Sequence, residues 1–398
     1  MSKKILLVND HNHFSGGGDA VLKLEKTALE NKGYQVYTYS FTDTARKSDE
    51  SDFFYIESES LLKNKLRKFV SYREVERSFK SCLDEIKPDL VHVHLVSKYP
   101  ASIYSQLLNY KTIQTLHGPN LFCATSWGGL KDSAPCELGI SMKCFIRGCT
   151  NFTTTLLYKN LYDNYISNLK GNVNLFHAPS RQLYSSIKRL GLDSSVYLPL
   201  GIDRIFHEEV EKTENECPTL LYVGAVAEQK GIKTLIKAMP EIVEQHPSVI
   251  LKIAGKGELT SWVEKEIEIH ALQKNVMLLG FVNRDTVRKL YIEADLFVLP
   301  SVWHEQFGLV GPEALACKTP CIGSNIGGIP EWLHHNQWGY LVPPNQKNDL
   351  ASSIIELIND PNKRRIFGER GRDFVLSEYS SYRYEESIIK IIEDMLDE

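Results

Sequence analysis

Short apolar runs alternate with amphipathic helical patterns along almost the whole chain, and this alternation constrains the fold more than any other feature. Strands that alternate with helices build parallel sheets. The candidate strands in the first half are ILLV (5–8), YQVYTYS (34–40), LVHVHL (90–95), TIQTL (112–116) and LFHAPS (175–180). Those in the second half are TLLYVG (219–224), VILKIAG (249–255), NVMLLGF (275–281), LFVLPS (296–301) and TPCIGS (319–324). The sequence therefore predicts an α/β fold.

The two sets of strands are separated by YLPLGIDRIFHEEVEKTENECP (197–218), a charged stretch after a Pro-x-Gly turn that is typical of an interdomain linker. A chain of 398 residues also exceeds one ordinary core. We therefore predict two Rossmann-like, doubly wound domains that face each other across a cleft, at 1–198 and 199–378. Such sheets bind ligands at the carboxyl ends of their strands.

Composition narrows the class of protein. With 42% hydrophobic and 24% charged residues, the chain falls in the soluble globular class. A net charge of -4 argues against a general nucleic-acid binder. The start, MSKKILLVND, is predicted to be a strand rather than a signal peptide, and no apolar run reaches the length of about 18 residues that a membrane span needs. We expect a cytoplasmic protein whose eight cysteines are reduced thiols.

Two segments leave alternatives open. LLKNKLRKFVSYREVERSFK (61–80) holds seven Lys/Arg against two Glu, with Leu62, Leu66, Phe69 and Val70 near one helical face. It is interpreted either as a plain solvated helix or as a peripheral contact with an anionic membrane surface.

Another segment contains four of the cysteines, Cys123, Cys136, Cys144 and Cys149, but no spacing between them is C-x-x-C. Buried or loop thiols are favoured there over a zinc site.

The first candidate binding residue is Lys230, which follows the strand TLLYVG and precedes Gly231 and an amphipathic helix. A helix N-terminus favours a phosphate because its N–H groups are unpaired and its dipole is positive. We therefore predict a phosphate contact for Lys230, with a solvated loop lysine as the alternative.

Two glutamates bracket the turn in WHEQFGLVGPEAL (303–315). Gly308 and Pro312 indicate that a helix begins near Leu309, because proline is tolerated in a first helical turn. Glu305 then lies in a loop and Glu313 in the first turn, while Phe307, Gly308, Leu309 and Val310 offer backbone N–H groups. Carboxylates are strong acceptors for sugar and ribose hydroxyls. The alternative for Glu313 is an ordinary acid stabilised by the helix dipole.

In the first half, Gly16, Gly17 and Gly18 let the backbone approach a ligand closely, before a helix that begins near Asp19. The dinucleotide fingerprint G-x-G-x-x-G is absent. His117 ends the strand of TLHGPN and is a candidate functional residue, with a structural histidine as the alternative. His92 and His94 are interpreted as packing or supporting residues, because the sequence shows no acid or third ligand with them.

Taken together, these residues resemble the retaining nucleotide-sugar glycosyltransferases of family 4, which have the two-Rossmann architecture called GT-B. The likeness rests on the E-x7-E pair in EQFGLVGPE, on ADLFVLPS before it and on YVG…KG (222–231). IAGKGE (253–258), LLGFV (278–282), GGIPE (327–331), PLGID (199–203), the early GGG and TLH add to it. It covers essentially the whole chain.

The resemblance implies a role for each matched position. Lys230 would bind the donor diphosphate together with the N–H groups of 308–310. Glu305 would bind the donor sugar and Glu313 the ribose, and the turn at Phe281 and Val282 would bind the base. His117 would meet the sugar, and Gly16 to Gly18 would approach the phosphates or the acceptor. A final helix at 379–398 would cross back onto the first domain, which forms most of the acceptor site.

Three positions depart from the family pattern. Ala225 stands where the family has an arginine for the diphosphate, Leu200 where asparagine is common, and Lys318 where glycine is common. The first matters most, because an arginine binds a diphosphate with two parallel hydrogen bonds.

The resulting hypothesis is a retaining, metal-independent hexosyltransferase that uses a UDP- or GDP-sugar and a glycan or lipid-linked acceptor. It would need no cofactor and would act in bacterial surface polysaccharide biosynthesis, such as that of lipopolysaccharide, in the cytoplasm or at the inner face of the cell membrane. The absence of a D-x-D in a metal-binding setting predicts that no metal holds the diphosphate. The alternatives are a sugar-nucleotide epimerase on the same fold and a non-catalytic nucleotide-sugar-binding subunit.

Overall fold

The computed structural model describes residues 2–10, 17–42, 51–56, 69–97, 99–118, 121–123, 139–212 and 215–398. The chain divides into two compact units. The first unit comprises Met1–Gly201 and Tyr382–Glu398, and the second unit comprises Ile202–Ser381. The boundaries predicted from the sequence fall after residues 198 and 378.

The first unit is built on a sheet of seven parallel strands in the order β3-β2-β1-β4-β5-β6-β7. The strands are β1 (Lys4–Val8), β2 (Gln35–Thr42), β3 (Phe53–Ile56), β4 (Leu90–Val93), β5 (Lys111–Thr115), β6 (Leu175–Ala178) and β7 (Ser195–Tyr197). The helices between them are α1 (Gly17–Asn31), α2 (Arg73–Ile86), α3 (Pro100–Tyr104), α4 (Lys143–Ile146), α5 (Phe152–Asn172) and α6 (Arg181–Arg189).

The second unit is built on six parallel strands in the order β10-β9-β8-β11-β12-β13. The strands are β8 (Thr219–Val223), β9 (Ile250–Ala254), β10 (Val276–Gly280), β11 (Leu296–Leu299), β12 (Cys321–Ser324) and β13 (Gly339–Val342). The α-helices are α7 (Ile232–Gln245), α8 (Thr260–Ile269), α9 (Arg284–Glu293), α10 (Val310–Ala316), α11 (Ile329–Trp332), α12 (Lys347–Asn359) and α13 (Pro361–Glu378). Short 3-10 turns at Arg204–Phe206 and Glu228–Lys230 precede β8 and α7.

Local sequence explains where several helices begin. Asn151, Ser180 and Asn283 accept hydrogen bonds from backbone N–H groups three residues further on, and so cap α5, α6 and α9. The central strands are continuous apolar runs; β1, for example, buries Ile5 to Val8 completely. Strands that are covered by helices on both faces need such runs.

Both sheets have a point at which the strand order reverses. In the second unit the chain adds β9 and β10 on one side of β8 and then places β11 on its other side. In the first unit the same reversal falls between β1 and β4. After the two strands at such a switch point, the chain continues to helices on opposite faces of the sheet. This separation leaves a crevice for a ligand at the carboxyl ends of the strands.

The α/β, doubly wound architecture predicted from the sequence is confirmed, and each of the ten predicted strands overlaps an observed one. The prediction missed β3, β7 and β13, which lie at sheet edges. The helix predicted near Asp19 begins earlier, at Gly17, so Gly17 and Gly18 belong to its first turn.

Among the described residues of 61–80, the predicted helix is present only from Arg73 onward. Helix α2 begins only at Arg73, and residues 69–72 are not helical. Phe69 is buried against Tyr158 and Tyr165, so it cannot face a membrane. Residues 61–68 lie outside the described part of the chain, and a membrane contact there stays a prediction.

The last helix, α14 (Ser381–Asp397), packs within the first unit from Tyr382 onward. The Tyr384 hydroxyl lies 3.3 Å from Glu25 Oε2 on α1, and Lys111 donates to the Met395 carbonyl over 2.7 Å. The first unit is therefore completed by residues distant in sequence. No helix in the described part of the chain is long and apolar enough to cross a membrane.

Candidate functional site

Lys230 and Glu305 meet at the switch point of the second sheet. Lys230 lies in the connection after β8 and Glu305 in the one after β11. The Lys230 Nζ is 2.6 Å from Glu305 Oε1, and the Ser301 hydroxyl donates to the same oxygen over 2.7 Å. The ammonium also lies 5.0 Å from the centre of the Trp303 ring. The structure thus brings together two residues that the sequence predicted to bind one donor.

A glycine fixes the position of Lys230. Gly231 has φ of +69°, and a Cβ there would lie 1.7 Å from the Pro300 carbonyl oxygen. The Val302 N–H donates to the Gln229 carbonyl over 3.0 Å, so the two connections are also hydrogen-bonded to each other. A residue with a side chain at 231 would push Lys230 away from Glu305.

The GGIPE segment (327–331) contacts the backbone of Glu305. The Gly328 N–H donates to the Glu305 carbonyl over 2.7 Å. A Cβ at Gly327 would lie 2.3 Å from the same carbonyl oxygen, at a φ of +62°. These two glycines therefore allow a close backbone contact that holds the Glu305 loop in place.

Glu305 is almost fully buried, with 6% of its surface exposed. Burial alone would raise the pKa of its carboxyl group, but the Lys230 ammonium and the hydrogen bonds from Lys230 and Ser301 lower the pKa below the ordinary value. Glu305 is therefore an ionised acceptor at neutral pH, suited to a hydroxyl donor.

Glu313 has a different environment. It lies in the first turn of α10 with 3% exposure, and Arg284 donates to its Oε1 over 2.9 Å. Arg284 also donates to Asp203 over 3.2 Å. Burial raises the pKa of Glu313 despite the opposing effect of Arg284. A ribose hydroxyl at Glu313 would have to share the carboxylate with Arg284.

The start of α10 presents backbone rather than side chains. Gly308 turns the chain with a φ of +79°, while the Phe307 side chain is buried and contacts Tyr379. Gly311 and Glu313 already donate their N–H groups to the carbonyls of Gly308 and Leu309. The N–H groups of 308–310 come earlier in the chain than the N–H groups that form these helix hydrogen bonds. Because its side chain is buried, Phe307 can contact a ligand only through its backbone.

Phe281 and Val282 follow β10 and Gly280. The Phe281 side chain is 69% exposed, which is unusual for a large apolar ring. The predicted base contact would cover this ring.

Ala225, where the family pattern has an arginine, is exposed. Its carbonyl accepts hydrogen bonds from the Tyr222 hydroxyl, over 2.6 Å, and from the Ala227 N–H. The loop therefore keeps a fixed backbone although the cationic side chain is missing.

In the first unit, His117 is partly exposed and adjoins Gly18. A Cβ at Gly18 would lie 3.4 Å from His117 Nδ1. On the other side of the ring, His117 Nε2 is 3.2 Å from His94 Nδ1. Gly16 lies outside the described residues.

An acid does accompany His92 and His94, although the sequence shows none near them. Glu25 of α1 lies with both: its Oε1 is 2.5 Å from His92 Nδ1, and its Oε2 is 3.4 Å from His94 Nε2. All three side chains are completely buried. A signal was present in the sequence, because Glu25 lies on the same helical face as Val21, Leu22, Ala28 and Leu29.

Sequence reasoning also missed Ser301 and Arg284, the hydrogen-bond partners of the two predicted glutamates. Both lie at recognisable sequence features. Ser301 is the last residue of the LFVLPS strand segment, and Arg284 follows the helix-capping residue Asn283. Among the described cysteines, Cys123, Cys144 and Cys149 form no disulfide. Cys136 lies outside the described residues.

Comparison with known proteins matches nearly the whole chain to two glycosyltransferase models. "Glycosyltransferase Family 4" matches residues 15–204, and "Glycosyl transferases group 1" matches residues 203–374. An uncharacterized glycosyltransferase of Methanocaldococcus jannaschii is 37% identical over 161 residues, 40% of this chain and 41% of that protein. Spore coat protein SA of Bacillus subtilis is 32% identical over 181 residues, 44% of this chain and 48% of that protein. The chain thus spans less than half the length of these two relatives.

A longer match extends to N-acetyl-alpha-D-glucosaminyl L-malate synthase of Bacillus anthracis, at 26% identity over 77% of this chain and 75% of that protein. Two solved structures resemble the fold. Sucrose-phosphate synthase from Thermosynechococcus elongatus has a TM-score of 0.79 at 21% identity and covers 99% of both chains. Anabaena HepE in complex with UDP-glucose has a TM-score of 0.74 at 17% identity and covers 98% of this chain and 99% of its own.

The two parallel sheets and these structural likenesses place the chain in the class of proteins with the GT-B fold. Within this class, the matched models show that the chain belongs to the family 4-like glycosyltransferases. The resemblance predicted from the sequence is confirmed.

Proposed function

We propose that the chain is a retaining glycosyltransferase that moves a hexosyl group from a UDP- or GDP-sugar to a hydroxyl of a glycan or lipid-linked acceptor. The observation that carries the proposal is the pairing of Lys230 with Glu305 at the switch point of the second sheet. A cation for a diphosphate thereby lies beside an ionised carboxylate for sugar hydroxyls.

Further features of the second unit support a nucleotide-sugar donor. The N–H groups at 308–310 would face the diphosphate, Glu313 would accept from the ribose, and Phe281 would stack on the base. HepE, which shares the fold, has been solved with UDP-glucose. We propose a donor of the same kind for this chain.

The proposed reaction needs only the donor, the acceptor and the protein. The bond between the anomeric carbon and the β-phosphate oxygen breaks, and its electron pair stays on the diphosphate. The acceptor oxygen attacks from the same face, and its proton passes to the β-phosphate, so the configuration is retained. Lys230 stabilises the negative charge that develops on the leaving group. We propose that no metal takes part.

The first unit would act on the sugar and the acceptor. We propose that His117 hydrogen-bonds a hydroxyl of the transferred sugar, because it is the partly exposed end of an otherwise buried group of histidines. The setting that we propose is assembly of a bacterial surface polysaccharide in the cytoplasm. The basic residues of 61–68 would bring the protein to a lipid-linked acceptor at the membrane.

The proposal is tested by thermal stabilisation and transfer assays with UDP-, GDP-, ADP- and dTDP-sugars, with and without EDTA. We expect a shift with one nucleotide that survives EDTA. Lys230→Met should lower turnover by about 100-fold, the usual effect of losing one electrostatic donor at a developing charge. Lys233→Met is the matched control, because Lys233 pairs with Glu228 instead of Glu305.

Three outcomes would contradict the proposal. An inverted anomeric product would exclude the retaining mechanism. A product formed without acceptor would favour the epimerase. Unchanged cellular glycans after Glu305→Ala would favour the non-catalytic subunit.

A further inference from the structure

A chain of buried polar side chains runs through the first unit and reaches the surface at His117. It links Tyr384, Glu25, His92 and His94 to His117 on one side. On the other side, Thr115 Oγ1 contacts His92 Nε2 at 2.7 Å and His177 Nδ1 at 2.8 Å. The histidines at 92, 94 and 177 are at most 1% exposed, whereas His117 is partly exposed. We define these seven residues as the histidine network.

The direction of each hydrogen bond of Thr115 follows from the contact between His177 and the Leu198 carbonyl. His177 Nε2 lies 2.6 Å from the Leu198 carbonyl oxygen, which can only accept, so this nitrogen carries a proton. Burial lowers the pKa of His177 to about 4, so its other nitrogen is bare at neutral pH and accepts from Thr115. Thr115 has a single proton to donate and must therefore accept from His92 Nε2.

The charge on Glu25 fixes the state of His92. Burial alone would raise the pKa of Glu25, but His92 and His94 lower it below the ordinary value, so the carboxylate is ionised. It accepts from His92 Nδ1 over 2.5 Å. His92 then carries protons on both nitrogens and forms a buried ion pair with Glu25. Tyr384 donates to the second carboxylate oxygen over 3.3 Å.

His94 connects the Glu25–His92 ion pair to His117. Burial, and after it the charge of His92, lowers the pKa of His94, so the ring is neutral. His94 Nε2 forms no hydrogen bond with the described residues, but the charged Glu25 carboxylate lies 3.4 Å away and favours the tautomer with a proton on this nitrogen. Nδ1 of His94 is then bare and accepts from His117 Nε2 over 3.2 Å. His117 is left with a bare Nδ1, on the side where Gly18 has no side chain.

We propose that Glu25 is a positioning residue that sets the tautomer of His117 through His94, so that His117 Nδ1 accepts a hydrogen bond from a substrate hydroxyl. This inference rests on the sugar contact proposed for His117. It assigns a function to a buried carboxylate that lies outside the proposed donor-binding residues of the second unit.

A metal ion is the competing explanation for one acid and two histidines. The separation of 2.5 Å between Glu25 Oε1 and His92 Nδ1 argues against an ion bound to both atoms. Two ligands at about 2.0 Å from a tetrahedral zinc lie about 3.3 Å apart. A carboxylate oxygen and an imidazole nitrogen in contact form a charge-assisted hydrogen bond.

The test is the protonation state of each imidazole nitrogen, read by NMR from the full chain labelled with ¹⁵N-histidine at neutral pH. His117 is assigned from the signal that His117→Gln removes. We expect a bare Nδ1 on His117 and two protonated nitrogens on His92 in the wild type. In Glu25→Gln, His117 should become a mixture of tautomers. Glu30→Gln, an exposed change on the same helix, should leave it unchanged.

Kinetics separate this inference from the proposed function. Glu25→Gln should lower kcat about tenfold with the KM for the donor unchanged, and it should add nothing to the loss in His117→Ala. Full activity of His117→Ala would overturn the sugar contact but leave the tautomer result standing. A proton on His117 Nδ1 in the wild type would overturn the inference even if Glu25→Gln does not fold. One bound zinc per chain that is lost in Glu25→Gln would also overturn it.

Discussion

Glu305 and Glu313 are eight residues apart and equally buried, yet their surroundings shift their pKa values in opposite directions. Lys230 and Ser301 stabilise the charge of Glu305, whereas burial dominates at Glu313 even beside Arg284. Paired carboxylates whose pKa values move apart are typical of functional sites. The contrast gives the two residues opposite effects on the pH dependence of stability.

The stability that Glu305 adds should disappear in acid. Its pKa in the folded state lies below the ordinary 4.5, so the unfolded chain takes up the proton first as the pH falls. The free energy of unfolding of the wild type, relative to Glu305→Gln, should therefore be highest above pH 4.5 and decline below it. Four of the five tryptophans belong to the second unit, so urea titrations followed by tryptophan fluorescence measure this.

Glu313→Gln is the complementary measurement. The pKa of Glu313 is raised in the folded state, so the unfolded chain loses its proton first as the pH rises. Relative to Glu313→Gln, the wild type should lose stability from pH 4.5 upward until Glu313 ionises in the folded state. Identical slopes for the two variants would contradict the assignment of the two environments.

Ala225→Arg should tighten donor binding. Ala225 is exposed on a loop whose backbone is fixed by Tyr222, so a longer side chain has room to extend. A hydrogen bond to a charged group contributes about 1.5–3 kcal/mol, which is about tenfold or more in Kd. Calorimetric titration with the preferred nucleotide sugar measures it, and Ala225→Leu controls for size. Equal affinity in wild type and Ala225→Arg would mean that the loop does not face the diphosphate.

The connections after β8 and β11 depend on a glycine that lets their backbones touch. The sequence located both connections and their charged residues, because Lys230 and Glu305 follow strongly apolar strands. It did not show that Gly231 touches Pro300, since close backbone contacts leave no pattern in composition.

Gly231→Ala should separate Lys230 from Glu305, and Gly33→Ala supplies the matched control. Both glycines have positive φ, but a Cβ at Gly33 has nothing within 4 Å, whereas one at Gly231 would collide with Pro300. Gly33→Ala should cost only the left-handed strain of about 1–2 kcal/mol. Gly231→Ala should cost more and abolish donor binding, as seen by thermal unfolding with and without nucleotide. Equal melting temperatures for the two variants would rule out the collision.

The elements that sequence reasoning missed share a physical cause. The strands β3, β7 and β13 lie at sheet edges, and β3 and β7 are only partly buried. SVY in β7 is too short to identify a strand, whereas FFYI in β3 is an apolar run that lies between polar segments. The network around Glu25 was missed for a different reason. An acid on a helix is normally assigned to the solvent face, and His92 and His94 lie far from it in sequence, so only the tertiary fold reveals the pairing.

At the scale of the whole molecule, the first unit is not a continuous stretch of chain. Residues from Tyr382 onward belong to it, and they bury Tyr384, Ile388, Ile392 and Met395. Four such side chains contribute on the order of 6–12 kcal/mol. An ordinary domain has a stability of about 5–15 kcal/mol in total.

Truncation before Tyr382 should therefore unfold the first unit and spare the second. Limited proteolysis should cleave within residues 1–201 while the fragment 202–381 resists digestion. Removal of Asp397 and Glu398 alone is the control, since both are exposed. Protection of the first unit in the long truncation would contradict the contribution of α14.

The shared first unit also sets an order for synthesis on the ribosome. Domains usually fold as they emerge, the N-terminal one first. Here the second unit is encoded without interruption, whereas the first must wait for residues translated after residue 381. The first unit, whose synthesis begins first, is thus completed only after the second unit has been made. Until then, Glu25 and the strands beside it are exposed to chaperones and proteases.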